Sequence, residues 1–282
     1  MRRILAFVFA CCCAAPLLAQ SLPQVQPGDG ENGLRDMSGA NEARQWRAVG
    51  RLDTGVSFCS ATLIAPDLVL TAAHCVFHPE THEALMPEDF TFLAGLRNGR
   101  AEAIRQVRRA MVPADYVHER GPELDMIGRD LALLQLRQPI SPTTITPISA
   151  AEGRARDGRV TVVSYGRDRE NRASIEEGCE ILARRGPVRS LNCSVVQGAS
   201  GSPVLRVNQG RAEVIAVMSA SGHVDGEDIS LAVMLDGQMS DLLSQARLAG
   251  PAATFSTSGG TTSFISPSNG TRGDMGARFV RP

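Results

Sequence analysis

The chain contains no lysine: all 29 of its basic side chains are arginine. With a formal net charge of only -1, this reads as a bias toward GC-rich codons and not as a recognition surface. So neutral a chain carries no broad field to draw nucleic acid or an anionic membrane. Beyond residue 18 no long apolar run remains, so no later segment is long enough to span a bilayer as a helix. There is no Cys-x-x-Cys pair and the 5 histidines are scattered, which argues against a zinc framework. No internal repeat is visible.

What the chain does have begins at its N-terminus. Arg2 and Arg3 precede an almost wholly apolar stretch, Ile4 to Leu18, and Leu17-Leu18-Ala19 offers a small-residue cleavage point. That is the pattern of a secretory signal peptide over residues 1–19, with a mature start near Gln20. Phe9-Ala10 is a poor lead-in for a lipid-bearing cysteine at Cys11. The expected location is secreted or periplasmic. Of the 7 cysteines, Cys11, Cys12 and Cys13 leave with the signal, and Cys59, Cys75, Cys179 and Cys193 remain. An even set in an oxidising compartment reads as two disulfides, with three connectivities open. Short-range pairing, Cys59–Cys75 and Cys179–Cys193, closes two small loops, each worth about 3 kcal/mol in the chain-entropy account.

Residues 20–42 are rich in Pro, Gly, Gln and Asp and read as a loose leader. From Trp46 onward, short apolar runs alternate with turn residues: Phe58–Ile64, Leu68–Thr71, Phe90–Leu93, Leu131–Leu136, Val160–Tyr165, Glu180–Ala183, Val204–Val207, Val214–Ser219 and Leu231–Leu235. Runs of this length, rich in β-branched residues, predict an all-β fold and not alternating βα units. One helix is expected over 239–249, capped by Ser240, with Leu242, Leu243, Ala246 and Leu248 on one face. The Ser/Thr/Gly-rich composition after Pro251 is too poor in apolar surface to offset its ordering entropy, so 251–282 reads as a flexible tail. Within it, Phe279 and Val280 restore some apolar character.

Three segments carry candidate chemistry. In Val69-Leu70-Thr71-Ala72-Ala73-His74-Cys75 an apolar strand runs into a small-residue turn that presents one histidine. In Gly128-Arg129-Asp130-Leu131-Ala132-Leu133-Leu134-Gln135-Leu136 an aspartate stands at the mouth of an apolar strand, where burial is costly without a partner. In Gln197-Gly198-Ala199-Ser200-Gly201-Ser202-Pro203 glycines flank a serine, and successive backbone N–H groups could face an oxyanion. Each alone has an ordinary structural explanation: a core histidine, a solvated strand end, a hairpin turn.

Together, "LTAAHC", "DLALLQL" and "GASGSP" in this order resemble the chymotrypsin/trypsin-like serine peptidases from about Trp46 to Leu248. Ser and not Gly before Pro203 is most similar to the bacterial glutamyl-endopeptidase branch. The resemblance implies two antiparallel six-stranded β-barrels, about 43–145 and 155–236, a C-terminal helix and a peptidase domain over 43–250. It implies a serine endopeptidase in which Ser200 attacks the scissile carbonyl, His74 moves the proton and Asp130 orients the imidazole. The backbone N–H groups of Gly198 and Ser200 would form the oxyanion hole. The separation 75 − 59 = 16 is that of the family's disulfide beside the catalytic histidine. The family's chemistry needs no metal and no organic cofactor. The expected partner is a protein or peptide substrate, and the expected state a monomer.

Two departures from the family agree with each other. No Ile-Val-Gly-Gly start lies between Gly30 and Trp46, and Ala199 stands where the family's activation switch has an aspartate. Alanine cannot pair with a newly formed ammonium group, so the expectation is activity without that cleavage. By resemblance, Ser194 lies at the base of the primary pocket and Ser219, Ala220 and Ser221 form its wall. That implies a small, mostly apolar pocket with an uncharged base, and Met218 replaces the histidine of glutamate-specific relatives. His78, His82 and His118 are expected on the surface. The rival reading is an inactive trypsin-like homologue that binds peptides or proteins in the same cleft.

Overall fold

The computed structural model describes residues 33–37, 39–118, 123–151, 158–224, 227–248 and 278–280. The expected signal peptide, most of the leader and most of the tail lie outside the described residues.

The first barrel closes in the order β2-β3-β4-β7-β6-β5, with β1 (Arg35–Asp36) lying before it in the chain. Its strands are β2 (Val49–Asp53), β3 (Phe58–Ala65), β4 (Leu68–Thr71), β5 (Thr91–Ala94), β6 (Ala103–Met111) and β7 (Ala132–Leu136). Leu52, Leu63, Val69, Leu70, Phe92, Val107, Leu133 and Leu134 are fully buried on its two faces. Gly50 has to be glycine, because a Cβ there would stand 2.5 Å from both the Leu93 carbonyl and the Phe92 ring.

Past the short strand β8 (Ser149–Ala150) comes the second barrel: β9 (Arg159–Ser164), β10 (Ser174–Arg185), β11 (Val188–Leu191), β12 (Pro203–Asn208), β13 (Arg211–Val224) and β14 (Glu227–Met234). The pairing runs β10-β11-β14-β13-β12-β9, and β9–β10 closes it. Antiparallel closure leaves few free edges, which is how an all-β chain of this length avoids edge-to-edge association.

Among the described residues there are three α-helices: α1 (Ala40–Gln45), α2 (Leu124–Ile127) and α3 (Met239–Leu248). In α3 the buried residues are Met239, Leu242 and Ala246, while Leu248, expected on the same face, is 89% exposed. Two residues past Ala246, at about 100° per residue, it points away from the face that Met239, Leu242 and Ala246 bury. The packed region also reaches further toward the N-terminus than residue 43. Arg35 pairs with Ile175 and Asp36 with Ser174, and Met37 is buried in the core. At the other end, β15 (Arg278–Val280) pairs antiparallel with β13.

Disulfides join Cys59 to Cys75 and Cys179 to Cys193. The first ties β3 to the turn after β4, and the second ties β10 to the segment that leads toward Ser200.

Candidate active site

The site forms where the barrels meet. After β4, Ala72 and Ala73 are fully buried, and their small side chains let the backbone enter a single 3-10 turn, Ala73–Val76, that presents His74. Crosslinking of Cys75 to Cys59 fixes that turn. The Asp130 carboxylate accepts the His74 backbone N–H at 2.7 Å through Oδ1 and faces Nδ1 at 2.7 Å through Oδ2. A carboxylate opposite Nδ1 selects the tautomer with the proton there, which leaves Nε2 as the acceptor. Ser219 Oγ donates to the same Oδ2 at 2.5 Å. Asp130 is only 1% exposed, and these donors offset the cost of burying its charge.

Ser200 comes from the second barrel, on the turn before β12. It is 1% exposed, and its Oγ has no hydrogen-bond partner among the described residues. No hydrogen bond joins it to His74, whose Nε2 lies 3.8 Å from Cys75 Sγ. The Ser200 backbone is nonetheless tightly held. Ser60, on β3, donates its N–H to the Ser200 carbonyl at 2.8 Å and its Oγ to the Gly198 carbonyl at 2.9 Å. The same Oγ accepts the Tyr165 N–H at 2.8 Å. Gly201 donates to the Met218 carbonyl at 2.8 Å, and Thr71 Oγ1 to the Ser60 carbonyl at 2.9 Å. Sequence reasoning did not single out Ser60; an interior serine in the apolar run Phe58–Ile64 was the available signal.

Both glycines of the turn are required. Gly198 has φ +96°, and a Cβ there would stand 2.3 Å from the Phe58 ring. Gly201 has φ +80°, and a Cβ there would meet Thr71 Oγ1 at 2.1 Å and the Ser60 carbonyl at 2.2 Å.

Two peptide planes are fixed by their carbonyls. Gln197 C=O accepts the Arg167 N–H at 2.7 Å, and Ala199 C=O accepts the Ser202 N–H at 3.0 Å. In a trans peptide the N–H points opposite the C=O. The Gly198 and Ser200 N–H groups are therefore turned away from those partners.

Of the expected pocket residues, Ser219 and Ala220 are buried on β13 and Ser221 is half-buried. Ser219 is engaged with Asp130. Ser194 donates its N–H at 2.7 Å to Glu176 Oε2, a carboxylate from β10 in a residue only 5% exposed. Burial pushes the Glu176 pKa above the ordinary glutamate range, against the opposing pull of the Ser194 donors and Arg169. A buried acid directly behind Ser194 was not visible in sequence, since "SIEEGCE" reads as a polar strand end. His118, expected at the surface, is buried and stacks on Phe77 at 4.8 Å and 11°. Its loop folds over that ring and covers apolar area. His223 is exposed and faces Asp228 at 2.9 Å.

Two groups of possible metal ligands occur among the described residues, Cys59-His74-Cys75 and Glu176-Cys179-Cys193. In each, the two cysteines are bonded to one another and offer no thiolate.

Two closed six-stranded barrels followed by a C-terminal helix are the chymotrypsin fold, and the chain is a serine endopeptidase of that class. Residues 59–217 match the trypsin-like peptidase domain, and the chain belongs to that family. Among solved structures it is similar to a Glu endopeptidase in complex with MPD, with TM-score 0.65 and 16% identity over 78% of this chain and 98% of that one. It is also similar to AL20, a thermostable serine protease from an extremophilic microorganism, at TM-score 0.61 and 14% identity over 73% and 100% of the two chains. The protease Anisep from Arthrobacter nicotinovorans gives TM-score 0.58 and 14% identity over 71% and 95%.

Proposed function

We propose that this protein is an exported endopeptidase that cleaves peptide bonds through Ser200, His74 and Asp130. The reading rests above all on the Asp130 carboxylate, which holds His74 by both its backbone N–H and Nδ1. So oriented, Nε2 takes the Ser200 proton as Oγ attacks the scissile carbonyl, and the imidazolium formed is stabilised by Asp130. His74 returns the proton to the leaving amine. Water then repeats the sequence on the acyl-enzyme. The missing Oγ–Nε2 hydrogen bond is compatible with this order of events, because catalytic hydrogen bonds commonly tighten only when substrate is bound.

Charge that develops on the carbonyl oxygen is met by the N–H groups of Gly198 and Ser200. Each such donor is worth about 3–4 kcal/mol of barrier. Their orientation is set by Arg167 and Ser202, so Ala199 needs no ammonium partner and the site requires no leader cleavage to become competent. Ser194, Ser219, Ala220 and Ser221 contact the substrate. The two disulfides, with the Arg2–Ala19 segment, favour an oxidising compartment outside the cytoplasm.

Fluorophosphonate labelling of the protein from Gln20 onward, against Ser200→Ala, tests this reading. Labelling without prior proteolysis, lost in the variant, is the expected result. A folded protein that does not label, or that labels equally well without Ser200, would overturn it and favour a peptide-binding homologue.

A further inference from the structure

The edge of β13 that faces Ser200 is occupied in two places by different parts of the chain. From Arg211 to Val217 it pairs with β12. The next residue, Met218, continues that edge, with its carbonyl accepting Gly201 N–H and its N–H donating to the Ser202 carbonyl. Its opposite edge is taken by β14, with Ala220 facing Leu231, Ser221 facing Ser230, Gly222 facing Ile229 and His223 facing Asp228. β15 therefore lies on the catalytic edge, where Val280 faces Ser221, Phe279 faces Gly222 and Arg278 faces His223. Between the two occupied stretches lie only Ser219 and Ala220, and Ser219 is the residue bonded to Asp130.

An extended peptide laid along this edge in the register of β15 runs antiparallel to β13. Two residues past the one opposite Ser221, it stands opposite Ser219, beside Asp130 and Ser200. Addition of a strand to an exposed sheet edge gives main-chain hydrogen bonds to any sequence, while side-chain pockets supply selectivity. The same backbone groups of Ser221 to His223 cannot serve β15 and such a peptide together.

We propose that residues 278–280 act as an internal competitor on β13, taking the edge beside Ser219 along which an extended substrate would lie. The inference rests on the proposed role of Ser200. The connecting stretch runs from residue 249 to 277, 29 residues (277 − 249 + 1) rich in Ser, Thr and Gly. A tether of this kind supplies an effective concentration on the order of millimolar, enough to make a weak strand contact compete with dilute substrate and yield to abundant substrate.

The test uses the full chain with Phe279→Pro and Val280→Pro together, since proline removes the donors that a paired strand needs. Hydrogen exchange is measured at the Ser221, Gly222 and His223 amides in a Ser200→Ala background, with and without the prolines. Faster exchange in the proline variant, reversed by an added synthetic peptide of residues 274–282, is expected; unchanged exchange overturns the docking of β15. With Ser200 present, hydrolysis of fluorescein-labelled casein should rise severalfold at low casein in the proline variant and match the parent at saturation. Faster exchange with equal hydrolysis at every casein concentration overturns the competition. If neither protein hydrolyses casein or labels with fluorophosphonate, the proposed function fails and takes the competition with it, while the exchange result still decides the docking.

Discussion

Replacing Gly201 by alanine should show how far the junction between the barrels depends on one missing Cβ. Two costs act at that position. A left-handed φ of +80° costs a non-glycine residue about 1–2 kcal/mol. The added Cβ would also stand 2.2 Å from the Ser60 carbonyl and 2.1 Å from Thr71 Oγ1. Neither can retreat freely, because Thr71 Oγ1 is itself hydrogen-bonded to that carbonyl. Overpacking of this kind typically costs about 1–3 kcal/mol. Gly210 provides the control: its φ is +76°, yet a Cβ there has nothing within 4 Å. Gly210→Ala carries the backbone cost alone, and the change in unfolded-chain entropy is common to both variants. Thermal unfolding should therefore place Gly201→Ala below Gly210→Ala by about 2–12 °C, at 2–4 °C per kcal/mol for a domain of this size. Fluorophosphonate labelling should slow only in Gly201→Ala, since relief of the clash moves the neighbouring Ser200. Equal melting temperatures would refute the reasoning, because the close approach to Ser60 would then contribute nothing.

Ser60→Ala should destabilise the protein by about 1–3 kcal/mol, since it strands the buried Tyr165 N–H and leaves the Gly198 carbonyl without its Oγ donor. Chemical denaturation measures the stability, and a parallel drop in labelling rate would show that this hydroxyl positions the serine turn. Glu176→Gln tests the buried carboxylate behind Ser194. A carboxyl whose pKa is raised on folding contributes stability that is fully present below the ordinary glutamate pKa and lost as pH rises through the folded value. Relative to the parent, the glutamine variant should gain stability as pH rises past the ordinary glutamate pKa of about 4.3, as followed by melting temperature against pH. A difference that stays flat across that range would mean that burial does not govern this group.

Strands that were plain in the sequence are those whose residues face the core on both sides or nearly so. β7 reads ALLQL and is buried throughout, and β4, buried at Val69, Leu70 and Thr71, was legible for the same reason. β6, with AIRQVRRAM, offers three arginines and no continuous apolar run, yet it is a barrel strand paired on both edges. β2 carries Gly50 and Arg51 in five residues and was also missed. In both, register in the closed barrel outweighs local composition. The motif residues His74, Asp130 and Ser200 could be picked out because each sits in a distinctive local run. Ser60 and Glu176 could not, since their importance comes from partners 138 and 18 residues away.

The absence of an acidic residue before Ser200 acquires a physical meaning beside these contacts. Where a buried carboxylate waits for an ammonium group, the serine turn is held by an ion pair that must first be made. Here Ala199 is buried at 1% exposure, and the turn is held by neutral backbone and hydroxyl hydrogen bonds from Ser60, Arg167, Ser202 and Met218. Such bonds form with the fold itself and lose little when pH or salt changes, because none depends on a titrating partner. If the Gly198 and Ser200 amides are the oxyanion donors, their orientation is set by barrel closure and not by processing. Control of activity would then have to act on access to the cleft, and the β13 edge beside Ser219 is where the chain places a strand of its own.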